Sequence, residues 1–134
     1  IINFIIKYNM NDKLDRWEDI KIENFVWIIY IGIIILSWYA NSKETKFILY
    51  NDEKAKKEYQ NLMILIFTIL VIIYSYFTKD SYDDLMNLNE SDTEKKKILH
   101  LASFIGSFLV LISGFIFLGI VIVDDEIDTE IAFN

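Results

Sequence analysis

Residues 91–123 read SDTEKKKILHLASFIGSFLVLISGFIFLGIVIV. The stretch opens with Ser91, Asp92, Thr93 and Glu94, the spacing of a capping box, in which the Ser hydroxyl takes the backbone N–H three residues on and Glu94 reaches back. Lys95, Lys96 and Lys97 follow, and no further charge appears until Asp124. The 26 residues from 98 to 123 are enough, at ~1.5 Å per residue, to cross a hydrocarbon core of roughly 30 Å. The stretch predicts a transmembrane helix.

Two other runs repeat the pattern. Residues 24–42 are uncharged and carry Phe25 and Trp27 at one end and Trp38 and Tyr39 at the other, an arrangement of interfacial aromatics. Residues 59–78 are also uncharged, apolar on every face, and end in Tyr74, Tyr76 and Phe77. The expected fold is therefore all-α: a polytopic membrane protein with three transmembrane helices, a short amphipathic N-terminal segment and an acidic C-terminal tail. The expected division of this single membrane domain is an interfacial head (1–23), a first span (24–42), a connection (43–58), a second span (59–78), a connection with a short helix (79–97), a third span (98–123) and the tail (124–134).

Composition agrees with this division. Hydrophobic residues make up 54% of the chain and charged residues 25%, and the two classes segregate into blocks. The Ile-, Asn- and Lys-rich usage suits an AT-rich genome. There is no Pro and no Cys, so neither proline-broken helices nor thiolate chemistry is available. A net charge of −7 argues against a nucleic-acid partner, because phosphate binding needs clustered Lys and Arg. Ile1 stands where an initiator Met is usual, which leaves a processed form, a fragment and an unusual start codon all open. IINFII at 1–6 is too short to span a bilayer.

The connections carry local signals. Asn9 and Asn11 are expected caps for a short helix in which Leu14, Trp17 and Ile20 fall at helical spacing, with Trp17 as an interfacial anchor. Phe47–Tyr50 forms an apolar island. Asn51 is an expected N-cap, supported by a Glu53–Lys57 pair, so the second helix starts near Asp52. Ser81 and Asp84 suggest a further cap for a short surface helix with Leu85, Met86 and Leu88 facing inward. Thr68, inside the second run, is expected to bond its own backbone.

The third span sorts residue types by face. Ala102, Gly106 and Ser113 fall together, and Ser103, Ser107 and Gly114 occupy the adjoining strip. With Gly32 and Ser37 on the first span, these are the expected positions of close helix–helix approach. Phe104, Phe108 and Phe115 lie roughly opposite, facing lipid or wedged into a neighbour. The expected interfacial anchors are Trp17, Trp27, Trp38, Tyr39, Tyr74 and Tyr76. Three spans would put Lys7, Lys13, Arg16, Lys21, Lys79, Lys95, Lys96 and Lys97 on one side, against Lys43, Lys46, Lys54, Lys56 and Lys57 on the other. The count favours the N-terminus inside.

No catalytic residue, cofactor or metal ligand is expected. None of the three runs contains the charged residue that a proton relay or ion-coupled carrier requires. His100 is the only His and is expected as an interfacial hydrogen-bonding residue. Asp83 and Asp84, like Asp124, Asp125, Glu126 and Asp128, read as solvated acidic faces without the order of a calcium loop. The expected function is a non-catalytic structural or accessory subunit of a larger membrane complex. Its partners would be the lipid bilayer and other integral-membrane subunits, in a bacterial plasma membrane, an organellar inner membrane or a viral membrane. The alternative is a homo-oligomeric pore of holin or channel type, with Ser103, Ser107 and Ser113 as pore-facing hydroxyls.

Overall fold

The computed structural model describes the backbone of residues 2–131 and the side chains of that stretch apart from 3–9, 11 and 12. Three helices account for nearly all of it: α1 (Ile2–Tyr50), α2 (Glu53–Met86) and α3 (Glu94–Val123). Each is long and apolar enough to cross a membrane, and no strand occurs among the described residues. Residues 1–35 and 36–134 form two compact units.

α1 differs from the sequence expectation. The backbone is helical through the boundary expected at 23/24 and again through Phe47–Tyr50, so the head, the first run and the apolar island are one 49-residue helix. The backbone is already helical at Asn9 and Asn11, where the start of a helix was expected, and the side chains of these two expected caps lie outside the described residues. The reason is local. A charged stretch ends a helix only if it brings Pro, Gly or a competing cap, and residues 2–31 contain neither Pro nor Gly. The charges instead pair along the helix: Lys21 Nζ lies 3.3 Å from Glu18 Oε1, and Arg16 Nη1 lies 3.3 Å from Glu23 Oε1. The Lys21 ammonium also sits 3.5 Å from the centre of the Trp17 ring.

In the second unit, α1 ends where Asn51 takes a positive φ of 53° and its N–H donates to the Phe47 carbonyl at 2.9 Å. Asn is among the few non-Gly residues that adopt this conformation readily. Asp52, not Asn51, is the N-cap of α2: its carboxylate accepts the N–H groups of Lys54 and Ala55, both at 3.1 Å. Lys43 Nζ then meets Glu58 Oε2 at 2.8 Å. Glu53 pairs with Lys56 at 3.7 Å, one residue short of the expected Lys57.

α2 runs on to Met86 without the break expected near Ser81, whose side chain is engaged elsewhere. Leu85 and Leu88 are half-buried and Met86 is exposed. The loop to α3 is closed by Asp92, which accepts the Asn89 N–H at 2.7 Å and the Lys96 ammonium at 3.2 Å. With Asp92 committed to the loop, the helix starts two residues later than the Ser91 capping box implies. Thr93 is the N-cap, its hydroxyl oxygen accepting the Lys96 N–H at 3.2 Å.

α2 and α3 form an antiparallel pair with the core of this unit between them. Met63, 2% exposed, lies near one end, Phe67 packs on Phe117 in the middle, and Tyr82 meets Phe104 towards the loop. The least exposed residues of α3 include Phe104, Ser107, Leu111, Gly114, Leu118 and Val121. Their alternating spacing of three and four keeps one seam turned to a neighbouring helix.

Candidate functional site

The seam brings small residues of α3 against α2 at two levels. A Cβ built on Gly114 would lie 3.2 Å from Val71 Cγ2 and 3.2 Å from Tyr74 Cδ2. Both are closer than the ~3.5–4.0 Å at which carbons pack best, so glycine lets the Tyr74 ring lie against the α3 backbone. About one turn beyond Tyr74, the buried Thr78 hydroxyl is 2.7 Å from the Tyr74 carbonyl and 3.1 Å from the Ser107 carbonyl on α3. The Ser81 and Ser107 hydroxyls are 3.2 Å apart. Burying a hydroxyl without a partner is costly, and here each has one.

Of the small residues singled out on α3, Ser107 and Gly114 meet α2. Ala102, Ser103, Gly106 and Ser113 are exposed, and a Cβ on Gly106 would meet nothing within 4 Å. Ala102, Gly106 and Ser113 lie roughly 100–140° around α3 from the Ser107–Gly114 seam. Ser113 bonds back to the Leu109 carbonyl at 3.0 Å, as Thr68 does to Ile64 at 2.7 Å, the local bond expected of it. Gly32 is exposed on α1.

The aromatic anchors divide in the same way. Trp17, Trp27, Trp38, Tyr39 and Tyr76 are exposed, Trp38 to 79%. Tyr74 differs: it is half-buried against Gly114, with a packing role that its place in an aromatic cluster does not reveal. Phe108 and Phe115 are exposed as expected, whereas Phe104 turns to Tyr82. His100 is half-buried.

The opposite end of the α2–α3 pair holds a polar clasp that the sequence did not signal. Gln60 donates from Nε2 to the Val121 and Ile122 carbonyls at 3.1 and 3.4 Å, satisfying the last turn of α3. Beyond α3 the chain hooks back. The Asp124 carboxylate accepts the N–H groups of Thr129 at 2.7 Å and Asp128 at 3.3 Å, and Ile127 takes a φ of 56°. That conformation is unfavourable for a β-branched residue, so the hook is held by its contacts. Ile131, only 6% exposed, closes over a cavity of about 20 Å³ between Tyr59, Met63 and Val121. Up to Ile131 the acidic segment is thus a folded strap; residues 132–134 lie outside the described residues.

The strap is tied down by charge. Lys56 Nζ lies 3.2 Å from Glu126 Oε2, and this contact raises the Lys56 pKa above its usual value. The N–H of Thr129 is the main cause holding the Asp124 carboxyl below the ordinary Asp range. At the α1–α2 turn, the mutual hydrogen bond of Lys43 and Glu58 raises the first and lowers the second. Among the described residues, no group of three His, Cys, Asp or Glu is placed to hold a metal ion.

No protein-family model, no curated protein and no solved structure matches this chain.

Proposed function

We propose that the chain is an integral membrane protein whose three long helices span the bilayer, and that it serves as a non-catalytic accessory subunit of a larger membrane complex. The observation that supports this reading is the division of small residues on α3. Ser107 and Gly114 are used within the chain, while Ala102, Gly106 and Ser113 form an exposed strip on an apolar helix. Small residues at such spacing allow another helix to approach closely, and α2 does not occupy the strip. Trp27 and Trp38, both exposed, belong to the residue type enriched at membrane–water interfaces. The lysine distribution favours the N-terminus inside.

Purification in mild detergent followed by native mass spectrometry tests the assignment. An accessory subunit gives a mass equal to this chain plus distinct polypeptides, and Gly106→Ile releases them without unfolding the α2–α3 pair. A stable monomer with no co-purifying partner would refute it. A ladder of identical chains would favour the homo-oligomeric pore. That reading has fewer residues to draw on, because Ser107 is turned to Ser81 and Ser113 bonds its own backbone. Conductance in reconstituted bilayers, altered by Ser113→Leu, would support it.

A further inference from the structure

Beyond α3 the chain folds back as the strap 124–131, and the register of the helix pair sets its depth. The Gln60 bonds to the Val121 and Ile122 carbonyls put the ends of the two uncharged runs, 59 on α2 and 123 on α3, at one level. Ile131, closing over Tyr59, Met63 and Val121, returns the strap to that level. Under the membrane reading above, on which this inference rests, the strap lies at the bilayer surface. It carries Asp124, Asp125, Glu126, Asp128 and Glu130 and no Lys or Arg. We propose that the strap is a latch that stays closed on a neutral membrane surface and is released by a negatively charged one.

The geometry makes the strap a separable layer. Gln60 serves the Val121 and Ile122 carbonyls, and the Asp124 N–H donates to the Ile120 carbonyl at 2.8 Å, so these three are satisfied without any residue beyond Asp124. The Asp124 carboxylate is engaged within the strap, by the Asp128 and Thr129 N–H groups. Attachment to α2 runs through the Glu126–Lys56 pair and the Ile131 contact. Lys56 also has Glu53 at 3.7 Å, so its ammonium, on a side chain only 13% exposed, keeps a partner when Glu126 leaves. Release frees Ile127 from its φ of 56°, which a β-branched residue adopts unfavourably. Charge supplies the trigger. Residues 43–58 hold Lys43, Lys46, Lys54, Lys56 and Lys57 against Glu44, Asp52, Glu53 and Glu58. The five strap carboxylates make this end anionic when the latch is closed, and their departure leaves it cationic. Anionic headgroups therefore repel the strap and are drawn to the exposed Lys46, Lys54 and Lys57. On a surface near about −50 mV, each carboxylate is disfavoured several-fold.

The test reconstitutes the full chain in lipid nanodiscs, which leave both faces open, made of phosphatidylcholine alone or of equal parts phosphatidylcholine and phosphatidylglycerol. A glutamate-specific protease is added, and cleavage after Glu126 is read by mass spectrometry relative to cleavage after Glu90 in the α2–α3 loop. At low salt this ratio should be roughly tenfold higher on the anionic discs, with helical ellipticity unchanged. Salt at about 1 M, where the screening length is ~3 Å, should remove the difference between the discs. Lys56→Gln should raise cleavage on the neutral discs, and Asp125→Asn combined with Asp128→Asn should shrink the lipid response. Asp84→Asn, at the far end of α2, should change nothing. Equal cleavage on the two discs, a difference that survives high salt, an unchanged lipid response in the double variant, or loss of helix on the anionic discs would each overturn the proposal. A chain that does not enter the discs overturns the membrane reading itself, and the latch with it.

Discussion

Gly114→Ala places a single carbon where Val71 and Tyr74 already stand, and the distances set the expected outcome. The new Cβ would be 3.2 Å from each of two side-chain carbons, a few tenths of an ångström inside the ~3.5–4.0 Å optimum. Relief requires the Tyr74 ring to move away from α3 on a helix that is itself packed, and overpacking of this kind costs about 1–3 kcal/mol. Against that, replacing a helical Gly by Ala gains roughly 0.5–1 kcal/mol. The net expectation is a loss of about 0–2.5 kcal/mol in α2–α3 stability. Gly106→Ala is the matched control: its Cβ meets nothing within 4 Å, so only the helix gain of roughly 0.5–1 kcal/mol remains. Denaturant titration of the purified chain in mild detergent, followed by helical ellipticity, reads both variants. Tyr74→Ala in the Gly114→Ala background removes the obstructing ring, so the two losses should add to less than their sum. Equal effects of Gly114→Ala and Gly106→Ala would refute the argument that Gly114 sits at the point of closest approach.

Thr78→Val keeps the side-chain volume but removes the hydroxyl that meets the Ser107 carbonyl; a loss of about 0.5–1.5 kcal/mol is expected in the same titration. Asp52→Ala leaves the Lys54 and Ala55 N–H groups uncapped and should cost about 0.5–2 kcal/mol, with faster amide exchange confined to the first turn of α2. Acidification should loosen the strap, measured as proteolysis or amide exchange across 124–131. The folded Asp124 pKa lies below its ordinary value, so its contribution is present above the unfolded pKa and is lost as pH falls through the folded one. Alkali acts through Lys56 in the opposite sense. Its folded pKa is raised, so the tie to Glu126 is intact below the ordinary lysine value and lost as pH rises through the folded one. Glu126→Gln should abolish the alkaline arm and leave the Asp124 arm in place.

Much of the secondary structure was legible because it depends on neighbours in the chain. Charge-free runs near 20 residues, without Pro, produce long apolar helices wherever they fold, and the Thr68 back-bond is a property of one helical turn. The helix limits were less legible. Charge density at 13–23 and 79–86 resembles a connection, yet helices end at caps and not at charges. Asp92 and Asn51 took turn roles that shifted the expected caps by one or two residues. Neither stretch carries a Pro or Gly that would force a break, and charge alone does not end a helix.

Which small residues are used within the fold was decided by tertiary structure alone. Helical periodicity groups Ala102, Gly106 and Ser113 on one strip and Ser103, Ser107 and Gly114 on the next, but nothing in it ranks the strips. The choice depends on the rotation of α3 about its axis, which Tyr74, Thr78 and Ser81 set from the other helix. The strap has the same origin. Asp124–Ile131 reads as a solvated acidic end until Lys56, Gln60 and Tyr59, more than 60 residues away in sequence, are placed beside it. The sequence by itself determined three apolar helices because helix formation and hydrophobic length are local properties. Their facing, and the fate of the chain beyond α3, needed contacts between residues that only the folded chain brings together.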